Sequence, residues 1–366
     1  MKFDAYDSGF KIVSLAISEE AKADLIEDGL DFVFYGKDKV YLYPGEIELN
    51  PDERVLDRFS ECCDYDVFEI WPNGTLHQKY SEKSTDNYFF VTSKCNSNCI
   101  MCPSPEESRR KGVNTAIEDL VELVNHIPDN TPHLTITGGE PFMMGEDIFT
   151  LLEACQKKFK KTQFLLLSNG RAFAIKSIFE QFVEVAPDNM VVAIPIHGSC
   201  AENHDLITQV KGSFEQSLIG IKRLIRSGIS VEIRIVVSYL NVSDFSEMAK
   251  MIINELPGVE YISVIAMEMT GSAWKNRTSV WIPYKNAFRQ IESGINEMIQ
   301  NGVDVRIYNF PLCTVDSKYW NICEKSISPD KVRYAVQCEG CKYKETCGGI
   351  FAGTISMVKD ELEAII

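Results

Sequence analysis

The amino-acid sequence predicts an α/β protein whose central part is a parallel sheet of six strand–helix units. Short apolar runs alternate with longer amphipathic stretches from Tyr88 to about Tyr308. Before this region the pattern is that of short strands and turns, and after it cysteines dominate. Strands that alternate with helices over about 200 residues form parallel sheets, because each helix returns the chain to the start of the next strand. We therefore predict three regions: residues 1–85, 86–308 and 309–366.

The elements of the central sheet follow from the apolar pattern. Six apolar runs predict strands, namely Tyr88–Val91, His133–Thr137, Gln163–Ser168, Met190–Pro195, Val231–Ser238 and Tyr261–Met267. The stretches between them predict amphipathic helices, namely Ile117–His126, Asp147–Lys158, Ile175–Val185, Phe214–Ser227 and Ser243–Glu255. Thr115-x-x-Glu118 and Ser213-x-x-Gln216 have the spacing of capping boxes. Ligands of parallel sheets bind at the carboxyl ends of the strands, where we expect the functional residues.

Residues 1–85 predict a small, mainly β accessory domain. The predicted strands are Phe10–Ile17, Asp31–Phe34, Val40–Tyr43, Tyr65–Trp71 and Thr75–Tyr80. Pro72-Asn73-Gly74 is a good hairpin turn between the last two of them. The domain either covers the central region or docks a substrate peptide at a sheet edge. The neighbouring Cys62 and Cys63 are interpreted as buried apolar residues rather than metal ligands.

Composition and charge exclude several function classes. The 366 residues are 45% hydrophobic, with no apolar run near the ~20 residues of a membrane helix and no signal peptide at Met1–Asp7. A cytoplasmic protein without membrane contact is therefore expected. The net charge of −16 disfavours nucleic-acid binding, which depends on Lys and Arg that neutralise phosphates. The basic stretches Arg109–Lys111 and Lys157–Lys161 are interpreted as solvent-exposed helix ends. Twelve cysteines in a cytosolic chain favour metal ligation over disulfides.

The most informative motif is the spacing Cys95-x3-Cys99-x2-Cys102 on a short polar loop after the first predicted strand. Three thiolates can hold three irons of a 4Fe–4S cluster and leave the fourth iron without a protein ligand. An open metal position is typical of a reactive site, whereas a fully ligated metal is more often structural. A zinc site is the alternative, but zinc needs a fourth ligand, and the next along the chain is Glu106 in a charged stretch.

A second motif, Gly138-Gly139-Glu140-Pro141, follows the second predicted strand, and together with the cysteine spacing it resembles the radical S-adenosylmethionine (radical SAM) superfamily. The resemblance implies a partial (β/α)6, TIM-like barrel with a lateral gap. It also implies that the open iron binds the amino and carboxylate groups of the methionine part of SAM. An electron from the reduced cluster then breaks the sulfur–C5′ bond and gives a 5′-deoxyadenosyl radical. Flavodoxin or ferredoxin is the implied electron donor, and the cluster is expected to be oxygen-sensitive.

The resemblance also implies roles for individual residues, and none of them is assigned as catalytic. Glu140 is expected to bind the methionine ammonium, and Met101 is expected to pack near the adenine. Arg234 is either a counter-ion for the SAM carboxylate or a surface ion pair. His204-Asp205 is either acid–base machinery or loop scaffolding. The residues expected to contact the cofactor are Met101, Gly138, Gly139, Glu140, Ser168, Asn169, His197 and Arg234.

The C-terminal region carries Cys338-x2-Cys341-x5-Cys347 followed by Gly348-Gly349, which resembles the SPASM and twitch domains that bind auxiliary clusters. Phe351 stands where a SPASM domain has a further cysteine, so the shorter twitch form with one auxiliary Fe–S cluster, expected to be 4Fe–4S, fits better. Cys313 or Cys323 can supply the fourth ligand. Cys313 is favoured because it closes the segment Ile307–Leu312, at the end of the central region. A zinc site with four cysteines remains the alternative.

Short blocks of the sequence resemble one subgroup, the C-type radical SAM maturases of His-Xaa-Ser peptide systems. The blocks are Cys95–Pro103, Thr137–Phe142, Glu268–Ala273, Tyr308–Cys313, Ser326–Ser328 and Cys338–Phe351. This resemblance implies post-translational modification of a ribosomal precursor peptide (RiPP) and allows for a second maturase as partner. The alternatives are an enzyme that acts on a small molecule or a protein, as sulfatase maturases do, and a non-catalytic Fe–S or zinc protein that binds peptides.

Overall fold

The computed structural model describes residues 1–36 and 39–366. It contains an N-terminal sheet, a central parallel sheet with its helices, and a C-terminal segment with little regular structure. The prediction of an α/β protein with a parallel central sheet and a β-rich N-terminal region is confirmed. No helix in the described part of the chain combines the length and the apolar character needed to cross a membrane.

The N-terminal sheet has seven strands in the order β1-β5-β4-β3-β2-β6-β7. It is antiparallel except where α1 connects the parallel strands β2 and β3. A bridge between Lys2 and Thr75 joins its two edges, and Gly74 adopts φ +81° in the predicted hairpin turn. The strands are β1 (Phe3–Asp4), β2 (Lys11–Ala16), β3 (Phe32–Gly36), β4 (Lys39–Tyr43), β5 (Ile47–Pro51), β6 (Val67–Ile70) and β7 (Leu76–Tyr80), and the helices are α1 (Glu19–Glu27) and α2 (Glu53–Glu61).

The central sheet has eight parallel strands in sequential order from β8 to β15. The six predicted strands are all present, and two short strands extend the sheet beyond them. The strands are β8 (Tyr88–Thr92), β9 (His133–Gly138), β10 (Gln163–Leu167), β11 (Met190–Pro195), β12 (Ser230–Val237), β13 (Tyr261–Ala266), β14 (Val305–Tyr308) and β15 (Cys323–Glu324). Alternate residues of each strand pack against the helices in one large apolar core.

The helices of the central region connect these strands. They are α3 (Glu106–Arg110), α4 (Ile117–His126), α5 (Asp147–Lys158), α6 (Lys176–Val185), α7 (Ala201–Thr208), α8 (Ser213–Arg226), α9 (Phe245–Glu255), α10 (Gly271–Lys275), α11 (Arg277–Val280) and α12 (Tyr284–Gln300). The remaining elements are β16 (Val332–Arg333), β17 (Ile350–Phe351), α13 (Ile355–Val358) and the 3₁₀ turns Pro141–Met144, Arg171–Ala174, Val242–Asp244, Leu312–Thr314, Ser317–Ile322, Val336–Gly340 and Lys359–Glu361.

Both predicted capping boxes are wrong, although α4 begins at the predicted residue and α8 begins one residue before it. The N-cap of α4 is Ala116, because the Thr115 hydroxyl donates instead to the Phe90 carbonyl on β8 at 2.8 Å. The N-cap of α8 is Gly212, and the Ser213 hydroxyl donates to the Asp205 carboxylate at 2.8 Å. Tertiary partners therefore replaced the local caps.

The N-terminal sheet packs on α4 and on the loop before β9. Ser14 and His126 share a hydrogen bond of 2.9 Å between Oγ and Nδ1, and Tyr80 contacts Thr131 at 3.0 Å between the two hydroxyls. Ile12 and Val67 join the core of the central region. These contacts lie toward the amino end of β9, whereas the cysteine loop follows the carboxyl end of β8. The N-terminal sheet thus packs on the end of the central sheet opposite the cysteine loop.

Candidate functional site

The cysteine loop begins directly after β8 and is held there by the turn after β9. The Gly139 amide donates to the Thr92 carbonyl at 2.7 Å, and the Glu140 amide donates to the Lys94 carbonyl at 2.8 Å. A Cβ on Gly138 would lie 2.3 Å from the Thr92 oxygen, and one on Gly139 would lie 2.1 Å from the Lys94 oxygen. Both glycines are required because the protein's own backbone approaches them so closely.

Two further segments hold the rest of the loop. The Asn98 and Ile100 amides donate to carbonyls at the end of α7, at 3.0 Å each. From the segment after β13, the Ala273 amide donates to the Cys102 carbonyl at 3.1 Å, and the Asn276 side chain donates to the Ile100 carbonyl at 2.9 Å. The loop is thus anchored to elements that follow β8, β9, β11 and β13, all at the carboxyl ends of their strands.

The thiols of the loop lie close to one another. Burial is the main cause that raises the pKa of Cys95 to about 11 and that of Cys99 to about 12, and the neighbouring thiols contribute to both shifts. The Ser97 amide donates to the Cys95 sulfur at 3.4 Å. All twelve cysteines of the chain are free thiols. The structure thus brings the three predicted ligands together.

A single metal ion and a cluster require different arrangements of the ligating thiols. Within residues 1–36 and 39–366, no three His, Cys, Asp or Glu side chains are arranged to ligate one metal ion. In a 4Fe–4S cluster, each thiolate binds a different iron. The set of donors fits the cluster chemically, because three free thiols lie on one loop and the buried guanidinium of Arg109 on α3 donates to the Cys99 carbonyl in that loop.

Glu140 joins the turn after β9 to the turn after β10. Its carboxylate is 1% exposed and accepts hydrogen bonds from the Ser168 hydroxyl at 2.9 Å, the Asn169 amide at 2.7 Å and the Phe142 amide at 3.3 Å. Burial raises the pKa of Glu140, and these donors act in the opposite direction. A carboxylate can accept about four hydrogen bonds, so its oxygens retain capacity for one more donor.

The turn after β10 reaches back to the cysteine loop through two side chains. The side-chain nitrogen of Asn169 (Nδ2) donates to the side-chain oxygen of Asn96 at 2.7 Å. Arg171 donates to the Asn96 carbonyl at 2.9 Å, to the Ser97 hydroxyl at 3.1 Å and, from Nε, to Gln216 on α8 at 2.7 Å. Sequence reasoning missed Arg171. The available signal was its place two residues after Asn169 at the carboxyl end of a strand.

The interpretation of Arg109 as part of a solvent-exposed helix end is wrong. Arg110 and Lys111 are exposed, but Arg109 is only 4% exposed. Its guanidinium donates to the Ser272 hydroxyl at 2.8 Å, to the Asn98 side-chain oxygen at 3.1 Å and to the Cys99 carbonyl at 3.4 Å. A short helix turns one residue of this basic run inward, under the cysteine loop.

His197 and His204 form a buried, neutral pair after β11. Their rings stack with centroids 5.6 Å apart, and the His197 amide donates to Nδ1 of His204 at 3.1 Å. Burial lowers the pKa of His197 to about 3 and that of His204 to about 4. Asp205 caps α8 by accepting from the Phe214 amide at 2.9 Å. His204 and Asp205 both accept hydrogen bonds from neighbouring segments of the protein, while Nδ1 of His197 has no partner among the described residues.

Met101 and Arg234 lie in different surroundings. Met101 is buried in an apolar cluster with Met267, Met269 and Ile207. The Arg234 guanidinium is 3.5 Å from the carboxylate of Glu232, two residues earlier on the same strand, and the Arg234 side chain is 31% exposed. Contact of either residue with SAM remains a prediction.

The C-terminal cysteines meet around one small cavity of about 20 Å³. Cys323 does not line this cavity. It lies on β15, where it pairs with β14 of the central sheet, and its thiol donates to the Tyr319 carbonyl at 3.4 Å. The cysteines that line the cavity are Cys313, Cys338, Cys341 and Cys347.

The segment Glu268–Asn276 lies between the cysteine loop and the C-terminal region. The Met269 amide donates to the Thr354 hydroxyl at 3.0 Å, and the Thr270 hydroxyl donates to the Pro103 carbonyl at 3.2 Å. Glu268, directly after the end of β13, is half-buried, and burial raises its pKa. Attraction to Lys331 acts in the opposite direction on this pKa.

Comparison with known proteins gives partial matches. Over 194 residues the chain is 28% identical to pre-heme d1 synthase of Dinoroseobacter shibae, covering 51% of this chain and 44% of that protein. Over 165 residues it is 28% identical to the antilisterial bacteriocin subtilosin biosynthesis protein AlbA of Bacillus subtilis, covering 45% of this chain and 36% of that protein. The chain therefore spans less than half the length of these relatives.

One solved structure with a similar fold is that of Streptococcus suis SuiB bound to precursor peptide SuiA. Its TM-score is 0.49 at 15% identity, and the match covers 60% of this chain and 48% of that chain. Residues 89–252 match the profile of the radical SAM superfamily. That range contains the cysteine loop, Glu140 and the Ser168-Asn169 turn. The chain therefore carries a radical SAM domain.

Proposed function

We propose that this protein is a radical SAM enzyme that modifies a ribosomally made precursor peptide. The observation that carries the first half of the proposal is the hydrogen-bonded chain from Glu140 through Asn169 to Asn96. It joins the turns after β9 and β10 to the loop of the three cysteines. A protein that only stored a cluster would not need these three segments to meet at one edge of the sheet.

The cysteine loop would hold a 4Fe–4S cluster through Cys95, Cys99 and Cys102, and SAM would bind at the iron without a protein ligand. When bound, this pair supplies a 5′-deoxyadenosyl radical that abstracts hydrogen from the substrate. Glu140 has one free acceptor position for the methionine ammonium. Ser168 and Asn169, fixed by Glu140, present their backbone to the same region.

Other side chains would shape the site rather than react. His197 stays neutral at physiological pH, because burial lowers its pKa to about 3, so it can donate or accept a hydrogen bond without adding charge. Arg234 lies on β12 within reach of Glu232, and its 31% exposure leaves it able to pair with a SAM or substrate carboxylate. Flavodoxin or ferredoxin would supply the electron.

The four C-terminal cysteines would form a second metal site, which supports the choice of a peptide substrate. Cys313, Cys338, Cys341 and Cys347 line one cavity, as a four-thiolate auxiliary cluster of the twitch type requires. The half-buried carboxylate of Glu268 lies on the segment between this cavity and the cysteine loop, and it would bind a cationic or hydrogen-bond-donating group of the peptide. AlbA, a partial relative, is a biosynthesis protein of a bacteriocin. Within the subgroup of His-Xaa-Ser maturases, a second maturase would act beside this one.

A small-molecule substrate is the second candidate. It is favoured by partial identity to pre-heme d1 synthase and, at 27% over 162 residues, to the AdoMet-dependent heme synthase of Nitratidesulfovibrio vulgaris. The N-terminal sheet is proposed to be a structural cover, because its contacts with the central region lie away from the cysteine loop.

Anaerobic reconstitution tests both halves of the proposal. We expect about eight irons per chain and 5′-deoxyadenosine formation from SAM with dithionite. Replacement of Cys95, Cys99 and Cys102 by Ala should abolish cleavage, while the exposed Cys200→Ala serves as a matched control. An iron content of about four per chain together with bound zinc would contradict the proposed auxiliary cluster. Absence of SAM cleavage in fully loaded protein would refute the enzymatic role.

The substrate class is tested by mass spectrometry. Loaded enzyme is incubated with SAM and either a candidate precursor peptide encoded beside the gene or a tetrapyrrole of the heme pathway. A mass change of the peptide that depends on SAM supports peptide modification. Conversion of the tetrapyrrole but not of the peptide would support a small-molecule substrate instead.

A further inference from the structure

Arg109 is a buried cation whose partners are all neutral. Its side chain donates to the Ser272 hydroxyl, the Asn98 amide oxygen and the Cys99 carbonyl. Its neighbours on α3 form ion pairs, Arg110 with Glu106 at 3.9 Å and Lys111 with Glu107 at 3.0 Å. No carboxylate within residues 1–36 and 39–366 pairs with Arg109, and its Nε has no hydrogen-bond partner there.

A guanidinium group stays protonated in proteins, so its charge is not removed by burial. Burial of a charge without a counter-charge costs several kcal/mol, and neutral acceptors offset only part of that cost. The arrangement therefore indicates an anion that binds near Arg109. The carboxylate of Glu106, on the same helix, pairs with Lys275 at 3.5 Å, and that of Glu140 accepts hydrogen bonds from the turn after β10.

The anion-forming groups within electrostatic reach of Arg109 are the thiols of Cys95 and Cys99. The guanidinium donates to the carbonyl of Cys99, and the Cys95 amide donates to the Arg109 carbonyl at 3.2 Å. Arg109 thus contacts Cys99 through its side chain and Cys95 through its backbone. Attraction to Arg109 also opposes the effect of burial on both of these thiols.

We propose that Arg109 is a positioning residue that compensates the negative charge of the thiolate-bound cluster and so favours its reduced state. The inference rests on the proposed cluster at Cys95, Cys99 and Cys102. Reduction transfers one electron from a ferredoxin-type or flavodoxin-type donor, which is itself oxidised by one electron, and no proton is exchanged. The reduced cluster is more negative by one charge, so a buried cation beside it stabilises that state more than the oxidised one.

The test uses the full chain with three substitutions, R109Q, R109K and R110Q. Each protein is reconstituted anaerobically and poised at one fixed potential, and the reduced cluster is counted from the electron paramagnetic resonance signal that shifts on addition of SAM. This shift separates the cluster from the C-terminal metal site. We expect R109Q to lower the ratio of reduced to oxidised cluster about tenfold, which corresponds to about 59 mV for one electron.

The matched control is R110Q, which removes the same charge from a side chain that is 70% exposed and should leave the ratio unchanged. R109K keeps the charge but not the fork of donors, and its ratio should stay within about threefold of the wild type. Loss of about four irons in folded R109Q but not in R109K also supports the proposal.

Two results would overturn it. The first is an equal reduced fraction in R109Q and R110Q with equal iron content, and the second is a tenfold loss in R109K. If R109Q does not fold, R109K decides alone by the same threshold. A wild-type protein with no signal that responds to SAM would instead refute the proposed function.

Discussion

The substitution Gly139→Ala tests whether the turn after β9 positions the cysteine loop. The added methyl group would lie 2.1 Å from the Lys94 oxygen, 2.6 Å from the Lys94 carbonyl carbon and 2.8 Å from the Ser93 oxygen. All three atoms belong to the backbone, so no side chain can rotate away. The loop and the turn must separate by roughly 1 Å to restore an ordinary contact.

That separation has a cost that follows from the contacts. It weakens the hydrogen bonds from the Gly139 amide to Thr92 and from the Glu140 amide to Lys94. Two such bonds contribute about 1–3 kcal/mol together, and residual overpacking adds about 1–3 kcal/mol. We expect the free energy of unfolding to fall by about 2–6 kcal/mol. Because Cys95 follows Lys94 directly, cluster loading and SAM cleavage should fall at least about tenfold.

The assay combines chemical unfolding, iron content and 5′-deoxyadenosine formation. The matched control is Gly228→Ala, where φ is +78° and no atom lies within 4 Å of the new Cβ. This control should lose about 1–2 kcal/mol from backbone strain alone and keep its iron and its activity. Gly139→Ala protein with wild-type stability, iron content and cleavage would refute the reasoning.

Three further predictions follow from the site. Cys313→Ser should lower the iron content by about four atoms and Cys323→Ser should not, and the reverse pattern would assign the fourth ligand to Cys323. The buried His197 and His204 stay neutral in the folded chain but take up protons in the unfolded chain below about pH 6.5, so stability should fall as pH drops from 6.5 toward 4, by up to about 1.4 kcal/mol per pH unit for each histidine. Urea unfolding measured across this pH range checks the prediction. A His204→Gln variant whose stability depends on pH as steeply as that of the wild type would contradict the assignment of the effect to this histidine. Arg171→Ala removes three hydrogen bonds between the cysteine loop, the turn after β10 and α8, and should lower SAM cleavage at least about tenfold while circular dichroism stays unchanged; wild-type cleavage would contradict a role for Arg171.

The central sheet was predictable because its strands and helices have a strong local signal. Helices α4 and α5 begin and end at the predicted residues, since an amphipathic stretch of ten or more residues leaves little choice of register. Shorter elements were missed, among them β1, β5, β14 and β15. Two to five residues that pair with a neighbouring strand carry no period of their own, so only the partner strand defines them.

The site divides in the same way. The spacing of the three cysteines and the Gly-Gly-Glu-Pro turn were visible in the sequence. The buried state of Arg109 was not, because a basic run at a helix end is exposed in most proteins and only the packing of Ser272 and the cysteine loop shows otherwise. Arg171 was missed for a similar reason, since its partners lie 45 to 75 residues away along the chain.

The sequence by itself determined the class of the fold, the cysteine triad and the turn that follows β9. These features are local, because apolar periodicity, the spacing of thiols and the need for glycine each depend on residues that are close together in the chain. Only the tertiary structure decided which charges face inward, that Glu140 is bound by the turn after β10, and that Cys313 rather than Cys323 lines the C-terminal cavity. These outcomes depend on residues far apart in the chain that meet only when parallel strands bring their carboxyl ends to one edge.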